Sequence, residues 1–550
     1  MGTHLCCDSF RSLNGPGSLE EQDSRNLGQT LILLLDYHQD PLTLRSLFHD
    51  PGIGSVIVTC SDAPNLGRIA SLINQLQHFA REARHDRPLT VGLRQEGALY
   101  DFLGLGQTRY PSPLSLAAGH STESVCQVGS AIGKELASIG VNWIFTPTLD
   151  LLSDITEPLS ASQTFGSNTL AATEYAIALI QGLAAEGVSA CSNAHPTGAV
   201  FEIFRSQEDS EFVDDVKEHS DSPEFLPIAS VIARYPRNSM QFGAAIHDFP
   251  NPEQSAQSIR SACELILRNK CGYRGPTVSS LAETPEDASV CPKHAPLLTF
   301  LSGLDMLRLP EDPEARDASI SVLKAAMASN VLPISTVSAA AARVASFKAQ
   351  FLSWERELNR QPPELPLTTV PDPLAQRAFR ASTTAISPTP SPLLNLAPNA
   401  MLALLTPQVH RRHPNSPSDP FEPLGQALSR SFPRTRHVSY NLAEGLTATH
   451  LPFLQRAAAV VFVLCNQSSA FIESQDEFVA ALRNAMRARD TMPVPQRPRK
   501  IVIAAGDPRD LRDAFEGWWA VCCYEFSKGA LEAAAEVVLG ERQATGRVPA

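Results

Sequence analysis

The sequence predicts an α/β protein in which a parallel β/α barrel is followed by a smaller α/β domain. From residue 31 to about residue 350, short apolar segments alternate with helical stretches. A proline-rich segment then separates this region from a second, shorter strand–helix series. About eight strands in the first region favour a closed barrel over an open sheet, although the alternation alone fits both.

The elements of the first region follow a polar segment, residues 1–27, which we predict to be a flexible tail. The barrel domain is predicted over residues 28–358, with strands at residues 31–35, 54–59, 89–93, 143–147, 188–191, 243–247, 276–279 and 306–309. Helices are predicted at residues 65–84, 122–139, 171–186, 255–269 and 337–350. The short apolar strand segments indicate buried strands of a parallel sheet.

Residues 359–398 are predicted to form a linker, because nine prolines break any long helix and favour extended chain. Residues 373–385 still leave room for one short helix. The C-terminal domain is predicted over residues 399–550, with strands at 401–405, 460–464 and 500–504 and helices at 475–489 and 529–539.

Charge and cysteine content restrict the partners and the compartment. The net charge of −13 gives no general attraction to nucleic acid or anionic membrane surfaces, so neither is expected as a partner. The 11 cysteines show no C-x-x-C spacing, which favours buried thiols in a reducing compartment over disulfides or a zinc site. The N-terminus lacks the apolar segment of a secretory signal, and the longest apolar runs are about half a membrane span. We therefore expect a cytoplasmic protein.

Six short motifs occur in the order, and with the spacing, of one enzyme family. They read L-R-Q-E-G at 93–97, F-T-P-T-L-D at 145–150, T-F-G at 164–166, F-L-P-I at 225–228, C-G-Y-R-G-P-T-V-S at 271–279 and G-L-D-M at 303–306. They resemble D-Q-E-G, F-A-P-V-L-D, R-S-F-G, L-L-P-F, L-G-F-x-G-V-V-x-S and A-G-x-D-M of family 3 glycoside hydrolases, most closely the β-N-acetylglucosaminidase branch. The last 13 residues, V-L-G-E-R-Q-A-T-G-R-V-P-A, resemble the end of that family's second domain.

This resemblance implies a TIM-like (β/α)8 barrel, with a sugar site at the C-terminal ends of its strands, followed by an α/β sandwich domain. It also implies retaining hydrolysis of O-glycosidic bonds of the β-N-acetylhexosaminide or β-glucoside type. The expected partner is a carbohydrate or a glycosylated small molecule, and neither a metal nor an organic cofactor is expected. The oligomeric state is left open.

The position of the family's nucleophile departs from the motif. The residue directly after T-V-S is Ser280, where the family has an aspartate. A hydroxyl is a poor nucleophile near pH 7 unless a base activates it, and neither His nor Asp neighbours Ser280 in sequence. Glu283 is the nearest carboxylate that could replace the nucleophile, although it also fits the start of a helix.

The acid/base segment departs as well. The family reads K-H-F-P-G-H-G followed by a D-S-H loop, whereas residues 192–201 read S-N-A-H-P-T-G-A-V-F. Aligned on the proline, the substrate-binding Lys and His become Asn193 and Ala194, and the Asp and His of the dyad become phenylalanine and serine. A local shift could bring His195 to the acid/base position without restoring the dyad. A structural loop histidine is the other interpretation.

The sugar-binding positions are only partly kept. Arg94 replaces the aspartate of D-Q-E-G, which reverses the charge there. The substrate-binding candidates that remain are Gln95, Glu96, Asp150, Asn193 and His247. Glu96 can instead pair with a neighbouring cation, Asp150 can cap a helix or loop, and His247 can be a core or rim histidine.

Two functions from different classes follow from this pattern. The family's residues are kept at the positions that maintain the fold, whereas most of its substrate-binding residues are replaced. We therefore predict a family 3-type glycosidase by descent with weakened or lost activity. The alternative is a non-catalytic carbohydrate- or metabolite-binding or scaffold protein. Whether the chain is an enzyme stays open, and saturable binding without turnover would favour the alternative.

Overall fold

The computed structural model describes most of the chain. The described residues are 19–59, 66–93, 108–154, 160–194, 239–242, 260, 262–270, 272–279, 295–360, 372–387, 391, 393, 396–408, 419–441, 444–465, 469–490, 493, 497–511, 515 and 517–549.

The strands of these residues are, in chain order, β1 (Leu31–Asp36), β2 (Ser55–Thr59), β3 (Thr90–Leu93), β4 (Trp143–Ile144), β5 (Ser189–Ala194), β6 (Ser239–Phe242), β7 (Thr277–Ser279), β8 (Leu307–Arg308), β9 (Thr384–Ala385), β10 (Leu402–Pro407), β11 (Arg436–Tyr440), β12 (Ala459–Leu464), β13 (Arg499–Ala504) and β14 (Trp519–Cys522).

The α-helices are α1 (Glu21–Gln29), α2 (Arg45–His49), α3 (Leu66–Glu82), α4 (Pro113–Ala118), α5 (Thr122–Ile139), α6 (Thr169–Ala185), α7 (Ala295–Leu301), α8 (Pro313–Ala328), α9 (Ile334–Lys348), α10 (Trp354–Leu358), α11 (Pro373–Ser382), α12 (Glu422–Ser431), α13 (Leu451–Arg456), α14 (Ser469–Asp490) and α15 (Lys528–Val538). A π-helix covers Ala262–Lys270.

Contacts divide the chain into two compact units. The first consists of Met1–Gln95, Gly129–Leu149 and Ile180–Pro366, and the second of Glu96–Val128, Asp150–Leu179 and Leu367–Ala550. The contiguous domain boundaries predicted at residues 358 and 398 stay a prediction.

The first unit contains a parallel sheet of eight strands in the order β7-β6-β5-β4-β3-β2-β1-β8. Its end strands are also joined, because Val278 and Met306 form a parallel bridge and Ser279 N donates to Met306 O at 2.9 Å. The sheet is consistent with the TIM-like barrel domain that the resemblance implied.

One face of this sheet encloses an apolar core. The side chains that meet there from around the sheet are Ile32, Ile57, Trp143, Phe145, Cys191, Val278 and Met306, and Val344 and Phe347 of α9 pack against them. Gly92 faces the same core, since a Cβ there would lie 3.0 Å from Phe145 Cε2. Side chains alternate between the two faces along a strand. The residues that face this core therefore determine which residues face inward at the carboxyl ends of the strands.

The second unit contains a sheet of six strands in the order β11-β10-β12-β13-β14-β9, parallel except for β9. The central strand β12 is buried along its whole length, as expected for a parallel strand covered on both faces. Phe462 of β12 stacks on Phe478 of α14 with ring centroids 5.8 Å apart. Elsewhere in this unit α12 packs against α15.

Helix α1 begins at Glu21, inside the segment predicted to be a flexible tail. The polar composition of residues 1–27 suggested a tail. However, Leu27 and Gly28 at the C-terminal end of α1 are buried, and α1 packs against α9. Burial of one end against a second helix therefore outweighs the polar character of the rest.

The predicted linker contributes regular structure to the second unit. The short helix expected within residues 373–385 is confirmed as α11. Asp372 caps it by accepting hydrogen bonds from Leu374 N and Ala375 N, and Pro373 occupies the first helical turn, where its missing N–H costs nothing. Strand β9 follows and pairs with β14, so this part of the segment is a component of the sheet.

Candidate functional site

The carboxyl ends of parallel strands meet at one edge of a sheet, and the predicted site residues of the first unit follow these ends in the chain. Asn193 lies in β5, and His195 and Ser280 come directly after β5 and β7. Gln95 is the second residue after β3, and Asn193 is paired in register with Gln241 of β6.

Most of the predicted side chains lie outside the described residues. This holds for Gln95, Glu96, His195, His247, Ser280 and Glu283, and for the side chain of Asn193. The roles assigned to them from the sequence therefore stay predictions.

Asp150 is the predicted site residue whose side chain the described part of the chain includes. It belongs to the second unit and is partly buried, with its Oδ2 atom removed from solvent. A 3-10 turn over Leu152–Asp154 begins two residues later. Its position fits both a cap of this turn and a ligand contact, so both interpretations remain.

Arg308 is a functional candidate that the sequence analysis missed. It is the last residue of β8 and pairs in register with Ile32, which faces the apolar core. Its side chain is buried, and its guanidinium carbon lies 4.4 Å from the centroid of the Phe145 ring. The sequence feature that could have indicated Arg308 is a charged residue within the otherwise apolar segment M-L-R-L.

Asp305, the aspartate of the G-L-D-M motif, is held in a buried ion-pair network. Arg268 Nη2 lies 2.6 Å from its Oδ2, and Arg343 Nη2 of α9 lies 2.5 Å from its Oδ1. The backbone N and the hydroxyl of Thr277 both donate to Oδ2, at 2.9 and 3.1 Å. Both carboxylate oxygens are engaged by the protein, which assigns Asp305 a structural role in linking β7, β8 and two helices.

The second unit contains a buried carboxyl group, Glu525, next to the start of α15. Its Oε2 accepts from Ser112 N at 3.1 Å and its Oε1 from the Ser527 hydroxyl at 2.9 Å. Burial raises the pKa of Glu525 to about 7, although the hydrogen bonds from Ser527 and Ser112 and the charge of Arg109 act to lower it. The contact joins residues 413 positions apart, so no local pattern could have revealed it.

Two further features concern the described residues alone. Among them, no group of three or more His, Cys, Asp or Glu side chains is arranged to hold a metal ion. Within the same ranges, none of the helices combines the length and the apolar content that crossing a membrane requires.

Comparison with known proteins gives a family model and several relatives. The model described as "Glycosyl hydrolase family 3 N terminal domain" matches residues 27–347. Beta-hexosaminidase A of Pseudoalteromonas piscicida is 26% identical over 372 residues, covering 64% of this chain and 60% of that protein. The Cellulomonas fimi protein named beta-N-acetylglucosaminidase/beta-glucosidase is 25% identical over 344 residues, covering 60% of this chain and 58% of that protein. The chain thus spans about three-fifths of each relative.

Solved structures extend the similarity to the fold of almost the whole chain. A glycoside hydrolase family 3 beta-N-acetylglucosaminidase from Paenibacillus sp. str. FPU-7 has a TM-score of 0.73 at 18% identity, covering 97% of this chain and 99% of that one. A fungal multi-domain family 3 beta-N-acetylglucosaminidase has a TM-score of 0.77 at 21% identity, covering 96% and 60%. At such identities the likeness concerns the fold.

Proposed function

Because this chain belongs to glycosyl hydrolase family 3, we propose that it is a member of the β-hexosaminidase or β-glucosidase type whose retaining hydrolysis is weakened or lost. The observation that carries the proposal is Ser280, which comes directly after β7 where the family motif has its nucleophilic aspartate. Retaining hydrolysis needs a carboxylate nucleophile with an acid/base about 5 Å away. A serine cannot supply that carboxylate.

The architecture that goes with this function is a TIM-like barrel followed by an α/β sandwich domain, over residues 28–358 and 399–550. The closed parallel sheet and the Paenibacillus enzyme, which matches 97% of the chain, support it. The ligand class is a β-linked N-acetylhexosaminide or glucoside, supported by the names of the two relatives. The candidate substrate-binding residues remain those proposed from the sequence, Gln95, Glu96, Asp150, Asn193 and His247.

Activated aryl glycosides test the loss of hydrolysis. A good leaving group lessens the need for a general acid, so a site with a surviving nucleophile should still react. For 4-nitrophenyl β-N-acetylglucosaminide and β-glucoside we expect kcat/KM below about 10 M⁻¹ s⁻¹, at least about a thousandfold under ordinary enzymes. Ser280→Ala should leave this value unchanged.

Glu283→Gln provides the decisive variant, with the exposed Glu311→Gln as its matched control. Turnover that Glu283→Gln abolishes and Glu311→Gln spares would show that the nucleophile has moved and that hydrolysis is retained. A non-catalytic carbohydrate-binding protein would give a different result. None of the variants would hydrolyse the aryl glycosides, and calorimetry would show saturable binding of N-acetylglucosamine or glucose.

A further inference from the structure

The N-terminal end of helix α4 contacts a carboxyl group that comes from the far end of the chain. Glu525 lies just before α15, and its Oε2 atom accepts a hydrogen bond from Ser112 N at 3.1 Å. Ser112 is the N-cap of α4, and Ser527, the N-cap of α15, donates its hydroxyl to Oε1 at 2.9 Å. All three residues belong to the second unit. Glu525 therefore links the starts of two helices through both oxygens of one carboxyl group.

The surroundings of this carboxyl group favour its neutral form. Glu525 is fully buried. Among the described residues, the charged or titratable groups that face it are Arg109, from the segment before α4, and the thiol of Cys523, from the end of β14. Arg109 is exposed, so water and salt screen its charge. Burial raises the pKa of Glu525 to about 7, against the hydrogen bonds from Ser527 and Ser112 and the charge of Arg109.

The backbone on the Glu525 side of the contact is held in place. Tyr524 has a φ of 66°, in the left-handed region that a bulky residue rarely adopts. Its side chain is buried, and its hydroxyl donates to Thr384 Oγ1 at 2.7 Å. The preceding strand β14 is buried and paired on both sides, with β13 and β9. Hydration of an ionised Glu525 therefore requires the contact with α4 to open.

Helix α4 is the weaker side of this contact. It has six residues, and a helix that short is not stable without tertiary packing. Its packing comes from Leu114 and Ala118, in an apolar cluster of the second unit, and from the Ser115 hydroxyl, which donates to Ser382 Oγ at 2.9 Å. Helix α15 has eleven residues and packs against both α11 and α12. Separation of the two helix starts therefore moves α4 rather than α15.

We propose that Glu525 is a proton-dependent switch for the docking of α4, which is held while the carboxyl group is protonated and opens locally when the group ionises. The opening hydrates the carboxylate and leaves the Ser112 N–H to water. The open form has the ordinary carboxyl pKa of 4.5 and the docked form a pKa of about 7. By linkage, the opening constant rises about tenfold between pH 6 and pH 8 and changes little above pH 8. The switch concerns the second unit alone and does not depend on glycoside hydrolysis.

Hydrogen–deuterium exchange of the full chain, measured by mass spectrometry on peptides that cover α4 and β12, tests the switch. Rates at pH 6, 7, 8 and 9 are divided by the intrinsic amide rate at each pH. The protection of the α4 amides should fall about tenfold from pH 6 to pH 8 and then level off. Urea below the unfolding transition should accelerate exchange in β12 but not in α4, because a local opening exposes little surface.

Variants assign the pH dependence to Glu525. Glu525→Gln cannot ionise, so the protection of α4 should stay constant from pH 6 to pH 9. Glu532→Gln is the matched control, because Glu532 lies on α15 with its side chain 35% exposed, and it should keep the tenfold change. Ser527→Ala removes a donor to the carboxylate and should therefore raise the pH at which the protection levels off. This variant decides the matter if Glu525→Gln does not fold.

Three outcomes would overturn the inference. The first is protection of α4 that does not change between pH 6 and pH 8, and the second is a change that persists in Glu525→Gln. The third is exchange of the α4 amides that matches β12 in both protection and urea dependence. That result would mean that Glu525 ionises only when the whole unit unfolds.

Discussion

Asp305→Ala is expected to lower the free energy of unfolding by about 3–5 kcal/mol, the cost typical of removing one partner from a buried ion pair. Asp305 is 1% exposed and holds Arg268 and Arg343, so its removal leaves two partly buried guanidinium groups without their counter-ion. It also removes the acceptor of the Thr277 N–H, at the strand β7 that ends just before Ser280. Urea unfolding followed by far-UV circular dichroism measures the loss.

The pair between Arg45 and Glu82 is the control for this prediction. These side chains are 52% and 50% exposed, and their atoms lie 2.7 Å apart. Glu82→Ala should therefore lower the free energy of unfolding by less than about 1 kcal/mol, since solvent-exposed ion pairs contribute little to stability. If Asp305→Ala cost no more than Glu82→Ala, the structural role assigned to the G-L-D-M aspartate would be wrong.

Glu525→Gln is expected to change how stability depends on pH. The pKa of this carboxyl rises from its ordinary 4.5 to about 7 on folding, so the folded state prefers the protonated form. The stability that this preference gives is complete below pH 4.5 and is lost as the pH rises through 7, because the unfolded chain releases its proton first. The loss is of the order of 3 kcal/mol.

Glutamine stays neutral and can still accept a hydrogen bond from Ser112 N. The free energy of unfolding of the variant should therefore not fall as the pH rises through 7, and at pH 8 the variant should be more stable than the wild type. Chemical unfolding at pH 5, 6, 7 and 8 measures the difference. Glu532→Gln, on the more exposed side of α15, should keep the wild-type slope. Parallel curves for Glu525→Gln and the wild type would contradict the assignment of a raised pKa to this group.

The fold of both units was predictable where a strand is buried on both faces. Strands β1, β2, β12 and β13 read as apolar runs, because a parallel strand covered by helices needs no polar alternation. Strand β11 was not predicted, since R-H-V-S-Y lies at the edge of its sheet and remains partly exposed. Strand β14 has four residues, too few for a periodic pattern to separate it from a loop.

The candidate site was predictable as a set of motif positions but not as a set of contacts. The two ion-pair partners of Asp305 lie 37 and 38 positions away in the chain, and Ser112 contacts Glu525 across 413 positions. Such pairs depend on how elements pack, which a local pattern does not encode. Arg308 faces inward only because its register with Ile32 is fixed by the neighbouring strand.

Covalent trapping tests the central claim, that the family fold is kept while the nucleophile is lost, most directly. A 5-fluoro glycosyl fluoride of the glucose or N-acetylglucosamine series reacts with the carboxylate nucleophile of a retaining glycosidase and leaves a long-lived glycosyl-enzyme, whose added mass intact-protein mass spectrometry detects. With an active family 3 β-N-acetylglucosaminidase labelled in parallel, we predict that the wild-type chain gains no mass. A single stoichiometric adduct that peptide mapping places on a carboxylate, at Glu283 or elsewhere, would show that a working nucleophile survives and would contradict the account.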